Sequence, residues 1–164
     1  MMKKRSWLLA STAAAALFLV GCASTPAPKT VAQTIAETPQ LSTLNKLIVD
    51  NGLTDALNAA GPFTVFAPTD DAFKAVPAKA WESLSKDKDR VAALLKFHVV
   101  PGTMTSDIVR NGNAPTLNGA NVALSKSGSF ITIEDAVVTT PDLKATNGVV
   151  HVIDRVLTPP APAK

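Results

Sequence analysis

The chain has 164 residues, enough for one ordinary domain. Apolar residues at 46% against 18% charged exclude a disordered chain, 5% aromatics with no Tyr argue against base stacking, and a single Cys excludes an internal disulfide or a Cys-rich zinc site. The formal charge is +3, but Lys3, Lys4 and Arg5 crowd the N-terminus. Without them 13 basic residues balance 13 acidic ones, and no electrostatic drive toward nucleic acid or an acidic membrane remains.

Behind those three cations runs an almost unbroken apolar stretch, Trp7 to Val20. A basic start and so short a run have the layout of a secretory signal, since a permanent membrane helix needs about 20 apolar residues. The run ends Leu19-Val20-Gly21-Cys22, which resembles the bacterial lipobox. That resemblance implies cleavage between Gly21 and Cys22, a diacylglycerol on the Cys22 thiol and palmitate-type acylation of the new amine. Two or more acyl chains hold a protein stably where one does not. Ala23 stands where an Asp usually signals inner-membrane retention, so the same resemblance points to the outer membrane. The signal is expected over 1–21 and a lipidated tether over 22–29. Alternating Pro and small residues make the tether an extended spacer of about 3 Å per residue, roughly 20 Å long. A second Pro-rich tail, 159–164, closes a folded domain expected over 30–158.

Within the domain the texture shifts once, from helical to strand-like. Val31, Ala32 and Ile35 mark a short helical face. Ser42 is placed to cap a helix carrying Leu44, Leu47 and Ile48, stopped by Asn51-Gly52, and Thr54 to cap another with Leu57. Phe63 to Ala67 reads as a strand. Thr69 then caps a helix with Asp70 and Asp71 in its first turn, where they suit the helix dipole. Trp81 and Leu84 belong to a further helical turn. Asp87 to Phe97 is the strongest helix, with Val91, Leu94 and Leu95 facing the core. Pro101-Gly102 turns the chain, and Thr105 to Val109 is a short capped segment. Asn118-Gly119, between Thr116-Leu117 and Val122-Ala123-Leu124, is a hairpin signal. Further strands are expected at Phe130 to Ile133, at Val137-Val138 and from Val149 to Ile153, the last entered through Asn147-Gly148. Helices first and antiparallel strands later read as α+β.

Chemistry is hard to find. No phosphate-binding glycine pattern and no Gly-x-Ser-x-Gly elbow occurs. Ser83-Leu84-Ser85-Lys86 matches Ser-x-x-Lys, a pattern short enough to arise by chance, and its Lys-Thr-Gly companion is missing. The two histidines, His98 and His151, lack metal-ligand spacing. A neutral, partly buried, hydrogen-bonded imidazole accounts for each. Asp70-Asp71 and Glu134-Asp135 sit at turns, where caps and solvated loops explain them better than acid–base catalysis. Neither a metal nor a cofactor is expected.

Three segments together resemble the fasciclin domain family: Gly61-Pro62-Phe63-Thr64-Val65-Phe66-Ala67-Pro68-Thr69-Asp70-Asp71-Ala72-Phe73, Leu94 to Gly102 around Phe97-His98, and Asn147-Gly148-Val149-Val150-His151-Val152-Ile153-Asp154 to Leu157. Order and spacing fit over about 30–158. The resemblance implies an α+β fold, a short-stranded β-wedge or sandwich with several packed helices. It implies a non-enzymatic adhesion or protein-interaction module, here lipid-anchored on the bacterial envelope, whose partner is a protein or a matrix polysaccharide. The alternative is a binder of a small apolar ligand; an enzyme using His98 or His151 is a third reading. The family's Tyr-His segment reads Phe97-His98 in this chain, so its hydroxyl is gone. Phe97 and His98 are carried over as a partner contact or a structural pair, and Asp154 as a structural hydrogen-bond acceptor.

Overall fold

The computed structural model describes residues Lys29–Pro160. The signal segment, the Gly21-Cys22 junction, the tether as far as Pro28 and the last four residues lie outside them. The helices are α1 (Val31–Glu37), α2 (Ser42–Asp50), α3 (Thr54–Asn58), α4 (Asp70–Lys74), α5 (Ala78–Ser85) and α6 (Lys88–Phe97). The strands are β1 (Phe63–Pro68), β2 (Val99–Pro101), β3 (Gly112–Pro115), β4 (Asn121–Ser127), β5 (Phe130–Ile133), β6 (Ala136–Ala145) and β7 (Gly148–Ile153). The fold is α+β, as expected.

The strands form one mixed sheet in the order β2-β1-β7-β6-β5-β4-β3. Every neighbour pair is antiparallel except β1 and β7, which run parallel in register from Phe63↔Gly148 to Pro68↔Ile153. The two ends of the sheet curl toward each other: Leu117 N–H, just past β3, donates to the Val99 carbonyl of β2 at 2.8 Å. The sheet is therefore close to a barrel.

Why β1 lies between two neighbours, and not at an edge of the sheet, follows from its sequence. Phe63-Thr64-Val65-Phe66-Ala67 is apolar on both faces, the pattern of a strand covered on both sides. Val65 and Ala67 pack with Val150 and Val152 against the helical layer, among Val31, Ile35, Leu44, Ile48 and Leu95. Phe66 and Ile153 point the other way, into a second core with Phe97, Val100, Val122, Ile131 and Ile133 inside the curled sheet. Each large side chain buried in either core contributes about 1.5–3 kcal/mol.

Local structure departs from the sequence expectations at several places. Ser42 does not cap α2; it is the first helical residue, and Leu41, which has no capping side chain, holds the cap position. Asp70 of α4 supplies the cap from across the fold, accepting from Thr43 N–H and from Ser42 Oγ, both at 2.7 Å. Thr54 likewise opens α3 without capping it. Thr105 to Val109 is a turn, in which Ile108 and Val109 N–H both donate to the Thr105 carbonyl at 3.0 and 3.1 Å. The hairpin at Asn118-Gly119 exists, but its first strand is Gly112–Pro115, and Thr116 to Ala120 form the loop, closed by Thr116 N–H to the Ala120 carbonyl at 3.0 Å. Thr69 caps α4 as expected, accepting from Ala72 N–H at 3.2 Å; Asp87, read as the first residue of its helix, is instead the cap of α6, accepting from Arg90 N–H at 3.1 Å.

Candidate functional site

Phe97 and His98 end α6 and point inward, each 1% exposed. His98 Nδ1 lies 2.8 Å from the Leu94 carbonyl, and Nε2 accepts from Leu157 N–H at 3.0 Å. A carbonyl only accepts and an amide N–H only donates, so the proton is assigned to Nδ1 and the ring is neutral. Burial pushes the imidazole down to about 4, against a smaller upward pull from the Leu94 carbonyl. The ring ties the end of α6 to the chain after β7. Neither Phe97 nor His98 presents a ring to a partner at the surface.

His151 of β7 is also buried, stacked on Phe66 with centroids 5.5 Å apart and planes 21° from parallel. Its Nε2 donates to the Met104 carbonyl at 2.6 Å and its Nδ1 accepts from Asp142 N–H at 3.3 Å. Burial lowers its affinity for a proton, opposed by the Met104 carbonyl and the Asp142 charge. Asp142 sits at φ +59° in the irregular middle of β6. Its carboxylate accepts from Ser106 N–H at 2.7 Å and from the Ser106 hydroxyl. Burial would raise its pKa, but those two hydrogen bonds and the nearby His151 and Lys144 hold it below the usual value. Lys126 Nζ donates to the Ser106 carbonyl at 2.6 Å.

Serine, aspartate and histidine thus meet, but not as a nucleophile with its base. The serine bonds the carboxylate, the histidine bonds a backbone amide, and no imidazole nitrogen is left to take a serine proton. The arrangement pins the 103–109 turn to the sheet. Ser83, the serine of Ser-x-x-Lys, donates to the Lys79 carbonyl at 3.0 Å, while Lys86 pairs with Glu82 at 2.7 Å. Among the described residues no group of three or more His, Cys, Asp or Glu is placed to hold a metal ion.

Sequence reasoning read Asn147 as turn chemistry; in the structure it is a clamp. Its side-chain carbonyl accepts from Val31 N–H at 2.8 Å, and its amide donates to the Leu57 and Ala59 carbonyls at 2.7 and 2.9 Å. One residue at the β6–β7 turn thereby fixes the start of α1 and the end of α3. Asp154 accepts from Val137 N–H at 2.7 Å, a structural bond between the end of β7 and β6. A small apolar cleft of about 250 Å³ lies between α2, α3 and the β1–β2 edge, lined by Leu44, Ile48, Leu57, Val65, Leu95 and Leu117.

The layout of these boxes agrees with comparison to known proteins. The Fasciclin domain model matches residues 39–159. The chain belongs to the fasciclin domain family. Protein sll1483 of Synechocystis is 40% identical over 144 residues, 87% of this chain and 80% of that protein. Immunogenic protein MPB70 of Mycobacterium bovis is 34% identical over 80% of this chain and 69% of that protein. Transforming growth factor-beta-induced protein ig-h3 of Sus scrofa is 36% identical over 88% of this chain, which spans only 21% of that protein. Among solved structures, the FAS1 domain pair from the insect cell adhesion molecule Fasciclin I superposes with a TM-score of 0.62 at 26% identity, over 72% of this chain and 45% of that one. In this fasciclin domain the three sequence boxes are spent on β1, β7 and the residues that lock them. The roles of Asn147, of Asp142 and of buried Thr64, whose hydroxyl donates to the Gly102 carbonyl at 2.6 Å, escaped sequence reasoning because their partners lie 36 to 116 residues away.

Proposed function

We propose that this fasciclin domain is a non-catalytic interaction module, lipid-anchored through Cys22 on the bacterial envelope, that mediates adhesion to a protein or a matrix polysaccharide. The observation that carries the reading is membership of a family in which a structural neighbour is an insect cell adhesion molecule. The balanced charge of the chain after Cys22 suits recognition by local chemistry rather than by a long-range field. The outer membrane is the proposed home, and the tether holds the domain just off it.

Two measurements test this. Cells carrying the full chain should adhere to envelope or matrix material more strongly than cells lacking it; equal adhesion would overturn the reading. Cys22→Ser should leave an uncleaved or mislocalised precursor without acyl label, and normal membrane attachment would refute lipidation.

The apolar cleft favours a second reading, a small apolar ligand held between α2, α3 and the sheet. Its volume sits just below the roughly 300–1,000 Å³ usual for ligand pockets, so the ligand would be small. Native mass spectrometry of protein taken directly from cells should then show a retained apolar molecule; a bare protein would count against it.

A further inference from the structure

Helices α2, α5 and α6 border an open groove of about 870 Å³, well within the size range of ligand sites. Its floor is apolar, with Leu47 of α2, Val91 of α6 and the indole of Trp81 on α5. Phe73 holds that indole edge-on, with ring centroids 5.3 Å apart and planes at 66°. Its rim is polar: Lys46 and Asp50, one turn apart on α2, Ser85 at the end of α5 and Lys88 at the start of α6.

Two features of this groove together suit a ligand. First, the Trp81 indole is only half-buried: with Leu84 it leans on the helical core, and its remaining surface lines the groove. Second, Lys46 and Lys88 converge on this one groove, and like Lys79, Lys96 and Lys144 elsewhere among the described residues they join no ion pair. The groove therefore combines an anchored aromatic floor with two cations that the fold leaves unused.

We propose that this groove binds an acidic oligosaccharide. A pyranose has an apolar C–H face and a rim of hydroxyls, which matches an indole floor with a polar rim. In such a pose the sugar ring lies on Trp81, hydroxyls donate to Asp50 and Ser85, and uronate carboxylates meet Lys46 and Lys88. A neutral sugar offers the lysines only hydroxyl oxygens and leaves their charges unmatched. An acidic peptide brings carboxylates against Asp50 without the hydroxyls that Asp50 can accept from. The proposal deepens the interaction reading by naming the class of partner, and it rests on that reading only for there being an external partner at all.

The test is calorimetric titration of the full chain with a galacturonate trimer, with maltotriose and a glutamate tetrapeptide as comparisons. A Trp7→Phe form of the full chain leaves Trp81 as its one tryptophan, so its fluorescence reports on the floor independently. Saturable binding of the galacturonate trimer with a shift in Trp81 emission, and weaker binding of maltotriose, is the expected result. The exposed double change Lys46→Gln/Lys88→Gln should weaken trimer binding roughly tenfold, with an unchanged melting temperature and little effect on maltotriose. No saturation at millimolar trimer, equal binding by the double variant, or tighter binding of the peptide would each overturn the proposal. If cells lacking the chain lose adhesion while cells with the double change keep it, the groove is excluded and the adhesion reading stands.

Discussion

At the scale of single residues, His98 is the clearest case of a side chain whose environment sets its chemistry. With both nitrogens bonded inside the core, His98→Ala should cost about 1–3 kcal/mol. Its acid response has a definite sign. The folded-state value is pushed down to about 4, so as pH falls the unfolded chain takes up the proton first. The stability that depends on the neutral ring is whole above the unfolded value of 6.5 and is lost between there and the folded value of about 4. The loss is on the order of 3 kcal/mol at the acid end. His151 is shifted the same way and adds to it. Asp70 and Asp142 lose their contribution only at lower pH, because both are held below the usual carboxylate value of 3.8. Urea unfolding at neutral pH and at about pH 5 should show the fall, and His98→Ala should flatten it without abolishing it. An unchanged slope in the variant would remove His98 from the account. Glycines separate in the same way by environment. A Cβ on Gly148 would lie 2.0 Å from the Phe63 carbonyl oxygen, whereas one on Gly52, at φ +66°, would meet nothing within 4 Å. Gly148→Ala should cost more than about 3 kcal/mol, through displaced backbone, and Gly52→Ala only about 1 kcal/mol, through backbone strain. Comparable melting temperatures for the two would contradict this.

At the scale of elements, the helices show how far local signals reach. Thr69 was legible as a cap because a cap and its target lie three residues apart. The cap of α2 was not, because Asp70 reaches it across 27 residues. Burial works against the Asp70 charge, and the hydrogen bonds from Thr43 and Ser42 outweigh it. Asp70→Ala should therefore destabilise the protein by about 1–2 kcal/mol, with the loss seen as faster amide exchange in the first turn of α2. Ser42→Ala removes one of the two bonds and should cost less; a larger cost for Ser42 would restore it as the cap. Strand β3 escaped notice because Gly112-Asn113-Ala114-Pro115 carries no strand propensity and only its partner β4 holds it extended. Strand β6 extends well beyond Val137-Val138, through Pro141 and Asp142. The register shifts flanking that stretch are tolerated because β7 and the Asp142–Ser106 bonds hold it in place.

At the scale of the whole molecule, the parallel pairing of β1 with β7 is the feature on which both cores depend. It joins segments about 85 residues apart and carries apolar side chains on both faces. Amides of Thr64 to Ala67 and Val149 to Ile153 should be the slowest to exchange, and those of α5, which has no fully buried residue, among the fastest. The reverse order would mean that the helical layer, not the strand pair, sets global stability. Pairing across such a separation also leaves the domain unable to complete its sheet until β7 is made, since loop closure precedes any gain from the contacts.

What the sequence by itself determined is the family, the α+β class, the Thr69 cap and the helix-to-strand order, because each rests on spacing within a few residues or on a contiguous motif. Only the tertiary structure decided where β1 goes, which residue caps α2, that Asn147 is a clamp, that Phe97 and His98 face inward, and that Trp81, Lys46 and Lys88 share a groove. Those outcomes depend on residues brought together from separate elements. No pattern along the chain encodes them, because the free energy that selects them comes from burial and hydrogen bonds made only once the sheet has closed.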